Sequence, residues 1–291
     1  MIKRSAFSML ELIFVIVVIG ILSKFGIELL AGTYQNFLFT KINNKLQNQS
    51  ATAVEFVAKR LSYRIKDSVI ARVSSSDFDG LQGIDPTKAY TALEWVARDI
   101  DGFRGTTQPY WSGIADLDAS TNAMINTPNT DVAKIDELIK ILSQSGSDIN
   151  DAAIYFIGSN SDVKVGYGWG GSFPATLTDR AIHPISSSTN NQFDGVFNNV
   201  DLYEYYQLSW TANAVVLENY DSLTRTYDLV FYYDYQPWLN EDYTQGKSSL
   251  IMHNVHTFQF RSLGSMIKVQ VCVKSNLTNE EHSLCKEKTI F

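Results

Sequence analysis

The side chains here that could do chemistry mostly lack the spacing that chemistry requires. His253 and His256 stand three apart in HNVH. Strand alternation turns such residues to opposite faces, which does not make a zinc pair. Asp77, Asp79 and Asp85, in DFDGLQGID, could favour Ca²⁺ but lack the full loop spacing and its terminal Glu, so they read as turn-forming aspartates. GYGWGG, from Gly166 to Gly171, follows no clear strand and opens no helix, which argues against a phosphate cradle. Tyr203, Tyr205, Tyr206 and Trp210 could stack on a sugar or base, but sheet core explains them more simply. Neither GxSxG nor HExxH occurs. The expectation is a non-enzymatic chain with no catalytic residue, no metal ligands and no cofactor.

One carboxylate is out of place. The apolar run from Leu10 to Leu22 contains a single acid, Glu11, and follows a short leader carrying Lys3 and Arg4. Basic residues ahead of an apolar run keep the N-terminus cytoplasmic. An ordinary secretory signal is cut after its run at small residues. Here Ser23-Lys24-Phe25-Gly26 follows, and the small residues Ser5 and Ala6 precede the run instead. The stretch from Phe7 to Gly26 is long enough to span a bilayer, with Lys24 able to reach the outer interface. An uncleaved signal anchor is the plainer alternative.

Ala6-Phe7-Ser8-Met9-Leu10-Glu11-Leu12 followed by IFVIVVIGIL resembles the class III signal of type IV pilins and type II secretion pseudopilins. The resemblance implies cleavage between Ala6 and Phe7 by a prepilin peptidase, on the cytoplasmic side, and N-methylation of Phe7. Glu11 becomes the fifth mature residue, the family's acid, and Gly20 falls where the family often has glycine. Ala6 departs from the family's usual glycine, which bears on processing efficiency. The implied physics is that Glu11 of one subunit meets the terminal amine of a neighbour. A carboxylate shut away from water and lipid is tolerable beside a cation, and such a pair specifies axial register.

The stalk and head must position that segment. Ile42, Leu46, Ala53, Val57, Leu61, Ile65 and Val69 recur mostly at four-residue steps, which predicts a helix stripe, with Lys45, Lys59, Arg60, Arg64 and Lys66 on the other faces. A continuous helix from Phe7 to Val69 would be about 95 Å long. The alternative is an anchor and a separate amphipathic helix broken near Gly26 or Gly32. The boundaries read as leader 1–6, membrane or filament-core helix 7–26, amphipathic stalk 27–74 and β-rich periplasmic head 75–291, with a helical and loop insertion near 100–200.

Within the head, Leu93-Glu94-Trp95-Val96 reads as a strand, Asp131 caps a helix through Leu142, and Ala152 to Ile157 reads as a buried strand. Residues 158–199 are rich in Gly, Ser, Asn and Thr and read as loop. From 203 onward YEYYQLSW, NAVVLEN, TYDLVFYYDY, SSLIMHNV, HTFQFRSL and MIKVQVCVK read as strands, with a hairpin turn at Leu263-Gly264-Ser265. Tyr227, Leu229, Phe231 and Tyr233 share one face. The fold class is α+β, a long N-terminal helix packed on a C-terminal antiparallel sheet. This layout is similar to the pilin family's, and the order of the last strands resembles the J-type minor pseudopilins, which implies a tip or initiation subunit.

Composition agrees with a folded head: 45% hydrophobic and 19% charged excludes a disordered chain, and 12% aromatic favours strands. Net charge is −7, and it becomes more negative once Lys3 and Arg4 are removed. Such a body gives no strong nucleic-acid signal. Cys272 and Cys285 would bridge in an oxidising compartment, worth about 3 kcal/mol; two free thiols are the alternative. The implied partners are other pilins or pseudopilins, the prepilin peptidase and an inner-membrane assembly platform. An adhesin or DNA-uptake receptor on the same anchor is the competing function, and an anchored periplasmic enzyme a third.

Overall fold

The computed structural model describes residues 8–171, 177–187, 189–275 and 282–291. Helix α1 (Met9–Leu61) leads into β1 (Ile70–Arg72), β2 (Phe78–Gly80) and β3 (Ala92–Ala97). Then come α2 (Ile100–Arg104), β4 (Asp116–Thr121), β5 (Met124–Asn126), α3 (Val132–Leu142), β6 (Ala153–Phe156) and α4 (Val163–Gly166). The chain continues through β7 (Ile182–Ser186), β8 (Gln192–Gly195), β9 (Tyr206–Ser209), β10 (Thr211–Asp221) and β11 (Thr226–Tyr233). It closes with β12 (Lys247–Leu263), β13 (Met266–Ser275) and β14 (His282–Ile290).

Two antiparallel sheets form. The larger runs β14-β13-β12-β11-β10-β3-β1-β2 and the smaller β4-β5-β8-β7-β6-β9. Strand alternation sorts the side chains into layers. Leu93 and Trp95 of β3 join Leu229 and Phe231 of β11 beneath the α1 stripe of Ile42, Leu46, Ala53, Val57 and Leu61. Ala92 and Val96 of the same strand face backwards, onto Ala153 and Tyr155 of β6 and Ile182 of β7. The far face of the smaller sheet, with Ile154 and Phe156, is closed by Val132, Ile135 and Ile139 of α3. The order is helix, sheet, sheet, helix. Partly buried Tyr233 packs on the α1 side with Phe231 and Leu229, as period two requires.

α1 ends at Leu61 rather than Val69, so it has 53 residues and the 27–74 stalk is only partly helical. The reason is a competing backbone partner. Ile65 N–H donates to Val96 O at 2.9 Å and Arg98 N–H to Tyr63 O at 2.9 Å, drawing Tyr63–Ile65 alongside β3. Ile65 and Val69 are buried, but on opposite sides of the large sheet. The helix passes unbroken through Gly26 and Gly32. α3 begins where Asp131 accepts from Lys134 N at 3.2 Å, and Leu142 at its end is exposed.

Residues 158–199 are not loop throughout, since they contain α4, β7 and β8. The insertion near 100–200 is therefore a second sheet. YEYYQLSW contributes only β9. SSLIMHNV and HTFQFRSL are one strand, β12, bulged where Asn254 takes φ 62°. The turn into β13 has Gly264 at φ 63°. The tail is itself a strand, β14, on the sheet edge where α1 packs.

Candidate functional site: an exposed apolar helix

The first part of α1 is an extended exposed apolar surface. Its opening turn is built by Ser8 and Glu11. Ser8 Oγ accepts from Glu11 N at 3.3 Å, and the Glu11 carboxylate accepts from Ser8 N at 2.9 Å and Ser8 Oγ at 3.1 Å. This is a reciprocal cap of the helix's free N–H groups, with the acid at the positive end of the helix dipole. Glu11 is thus held at the exposed helix entrance. Ala6 and Phe7, the expected processing site, lie outside the described residues.

From Met9 the helix presents large apolar side chains to solvent, and its first buried residue is Ile42. Leu10 is 80% exposed, Phe14 69% and Leu29 73%. α1 is long and apolar enough to cross a membrane. At 1.5 Å per residue its 53 residues extend about 80 Å. Around Gly20, Gly26 and Gly32 an added Cβ would meet nothing within 4 Å, so among the described residues this surface has no partner there.

The second half of α1 is gripped chiefly by β13 and β14. Cys272 of β13 and Cys285 of β14 are direct register partners and form a disulfide. The bridge thereby pins the edge strand that the helix lies on. Lys288 of β14 reaches Glu55 of α1 at 2.5 Å. Arg64, just past the helix, is buried, and its guanidinium donates to Leu61 O at 3.0 Å and Ser265 O at 3.2 Å.

The remaining candidates have structural partners. Asp79 accepts from Lys164 at 2.7 Å, Lys88 at 2.8 Å and the Tyr90 hydroxyl at 2.7 Å, while Lys88 also pairs with Asp77 at 2.5 Å. Hydrogen bonds from Lys164, Lys88 and Tyr90 hold the Asp79 carboxyl well below the usual carboxylate range. Two ammonium groups occupy the position where a bound cation would have to sit. Asp85 instead caps Thr87 N at 2.8 Å. His253 pairs with Asp228 at 2.7 Å and His256 with the Arg225 carbonyl at 3.2 Å. The bulge at Asn254 breaks simple alternation between them. Among the described residues no group of three or more His, Cys, Asp or Glu gathers as a metal set.

GYGWGG is a core loop. Tyr167 and Trp169 are buried, and Trp169 Nε1 donates to Ser68 O at 3.1 Å. Gly168 has φ 83° and lies so close to Pro237 that a Cβ would meet its carbonyl at 2.4 Å. Tyr206 is buried and shares a 2.5 Å hydrogen bond with Thr127, Trp210 is buried, and Tyr205 is exposed. These rings do not form one stacking face.

Among the described residues, a buried ion pair and a buried carboxylate escaped the sequence reading. Arg72 and Glu94 form an ion pair between the sheets, with Tyr235 donating to Glu94 at 3.0 Å. Arg72 also donates to Ser75 O at 2.7 Å and Trp169 O at 3.2 Å. Asp99 accepts from Gly102 N and Trp111 Nε1, both at 3.0 Å. The signal for Glu94 was an acid inside a run whose every other position faces a core, ALEWVA. Comparison of the chain with protein-family models, characterised proteins and solved structures returned no match.

Proposed function

We propose that this chain is a minor pilin or pseudopilin, a non-enzymatic subunit of a type IV pilus or type II secretion filament, placed near the tip. The observation that supports this is a single unbroken helix with two environments. Its second half is gripped by the head, and along its first part, from Met9 to Phe37, the large apolar side chains are exposed. Each large apolar side chain moved out of water contributes about 1.5–3 kcal/mol. That exposed part therefore belongs first in the inner membrane, with the N-terminus cytoplasmic and the head periplasmic, and then among copies of itself.

In that setting Glu11 loses its water and needs a cation. The amine of a neighbour's Phe7, freed by prepilin peptidase, is one source. The partners of the reading are other pilins, that peptidase and an inner-membrane assembly platform. Mass spectrometry of the native N-terminus, with and without the peptidase, is the test. A mature chain starting at methylated Phe7 is expected. Retention of Met1 in the wild-type strain would overturn the reading.

A further inference from the structure

Strand β10 carries an amide where its neighbours are apolar. Ala212, Ala214 and Val216 face the smaller sheet, and Val215 faces α1. Period two turns Asn213 toward α1 as well. Asparagine is depleted in strands, and this one is only 6% exposed. Among the described residues its side chain makes no hydrogen bond. Trp95, its register partner on β3, has an indole N–H that is itself buried without a partner, so the amide is not taken up there. Buried amides in folded chains are nearly always hydrogen-bonded, because a bare one costs stability.

Asn213 instead lines a cleft of about 380 Å³, within the range of about 300–1,000 Å³ that holds small molecules. The cleft lies beside the last turns of α1, on the α1 side of the larger sheet. Its lining includes the buried rings of Trp210 and Phe231 and the half-buried rings of Tyr63 and Tyr233. Of Tyr203, Tyr205, Tyr206 and Trp210, only Trp210 reaches it. The Tyr63 and Tyr233 hydroxyls have no hydrogen bond among the described residues.

Two guanidinium groups border the same space. Arg60 lies 5.6 Å from the centroid of the Phe56 ring and 5.4 Å from that of Phe231, so aromatic contact holds it in place. Arg98 Nε is buried without a partner. Among the described residues neither arginine pairs with a carboxylate. Asp99, at the edge of the cleft, is engaged by Gly102 N and Trp111 Nε1, both at 3.0 Å. Exposed Asp101 sets one negative charge against the two cations.

The ligand must therefore have an apolar face, groups that both donate and accept, and an anionic end. An aromatic acid would suit the rings and the arginines but leave the Asn213 amide bare. A neutral sugar would suit the rings and the amide but leave the guanidinium groups without a counter-charge. We propose that this cleft binds an acidic sugar, a pyranose bearing a carboxylate. Its C–H face lies on the aromatic lining, its hydroxyls meet the Asn213 amide and the tyrosine hydroxyls, and its carboxylate meets Arg98 and Arg60. The proposal concerns the head alone and does not rest on the filament reading.

Ligand-observed NMR titration of the full chain, in micelles of a detergent without a sugar headgroup, tests this with three probes: glucuronate, glucose and benzoate. Glucuronate is expected to bind saturably, about tenfold tighter than glucose, with benzoate weaker than glucuronate. Arg98→Gln should remove that preference and bring glucuronate to the level of glucose. Asn213→Leu should weaken both sugars while leaving the urea midpoint at or above the wild-type value, because an apolar side chain replaces a bare buried amide. Absence of saturable glucuronate binding overturns the site. Glucose or benzoate bound as tightly as glucuronate overturns the acidic sugar. A preference unchanged in Arg98→Gln overturns the place of the carboxylate. Sugar affinity unchanged in Asn213→Leu, or a urea midpoint lowered in both Asn213→Leu and Asn213→Val, overturns the role of the amide.

Discussion

Glu94 makes the sharpest stability prediction. Its side chain is wholly buried and ion-paired to Arg72, itself 2% exposed, in the layer between the two sheets. Burial pushes the Glu94 carboxyl up while Arg72 and the Tyr235 hydroxyl pull it down, and burial is the larger influence. Removing one partner of such a pair leaves an uncompensated buried charge and costs about 3–5 kcal/mol. Glu94→Ala also orphans the Tyr235 hydroxyl, worth about 1–3 kcal/mol. Arg72 keeps Ser75 O, Trp169 O and the Phe78 ring at 4.8 Å, which offsets part of the loss. The expected net cost is about 4 kcal/mol, a large share of the about 5–15 kcal/mol that holds a typical domain. Glu94→Gln should cost slightly less, because an acceptor for Tyr235 survives. Arg72→Met with Glu94→Leu should recover most of the loss, since no charge is left buried. Urea unfolding of the full chain in detergent micelles, followed by tryptophan fluorescence, measures each variant against the wild type at unchanged m-value. A cost for Glu94→Ala below about 1 kcal/mol, or a double variant as unstable as the sum of its singles, would refute the reasoning.

Three further outcomes are expected. Burial pushes the Asp99 carboxyl up to about 6, so the folded chain binds that proton more tightly than the unfolded one. Its contribution, about 3 kcal/mol, declines as pH rises from about 4 to about 6 and is constant above. Burial, with Arg180 adding to it, pushes His183 down to about 4, so the opposite holds and stability falls as pH drops from about 6.5 to about 4. Urea midpoints between about pH 4 and pH 7 should lose the first trend in Asp99→Asn and the second in His183→Leu. Replacing Cys272 and Cys285 by Ser opens a loop with a sequence separation of 13 and should cost about 3 kcal/mol, read as a lowered urea midpoint that reductant lowers no further.

Local pattern settled the elements whose causes are local. The apolar run with Glu11, the stripe from Ile42 to Leu61, the Asp131 cap and the alternating strands after 203 each needed only period, capping chemistry or composition, and each has its counterpart in the fold. The Cys272–Cys285 pairing was legible because the two residues flank a short return. Tertiary structure decided what depends on a distant partner. α1 stops at Leu61 because Val96 O offers Ile65 a hydrogen bond, something no helix propensity registers. Residues 182–186 and 192–195 become strands because β6 and β5, respectively, stand ready to pair with them, although their composition reads as loop. Arg72 falls at the end of the stretch whose sequence reads as stalk, 27–74; the second sheet, folding over it, shut out water and left Glu94 as its counter-charge. Periodicity along a chain records which face is apolar, whereas burial of a charge depends on what the rest of the chain brings against it.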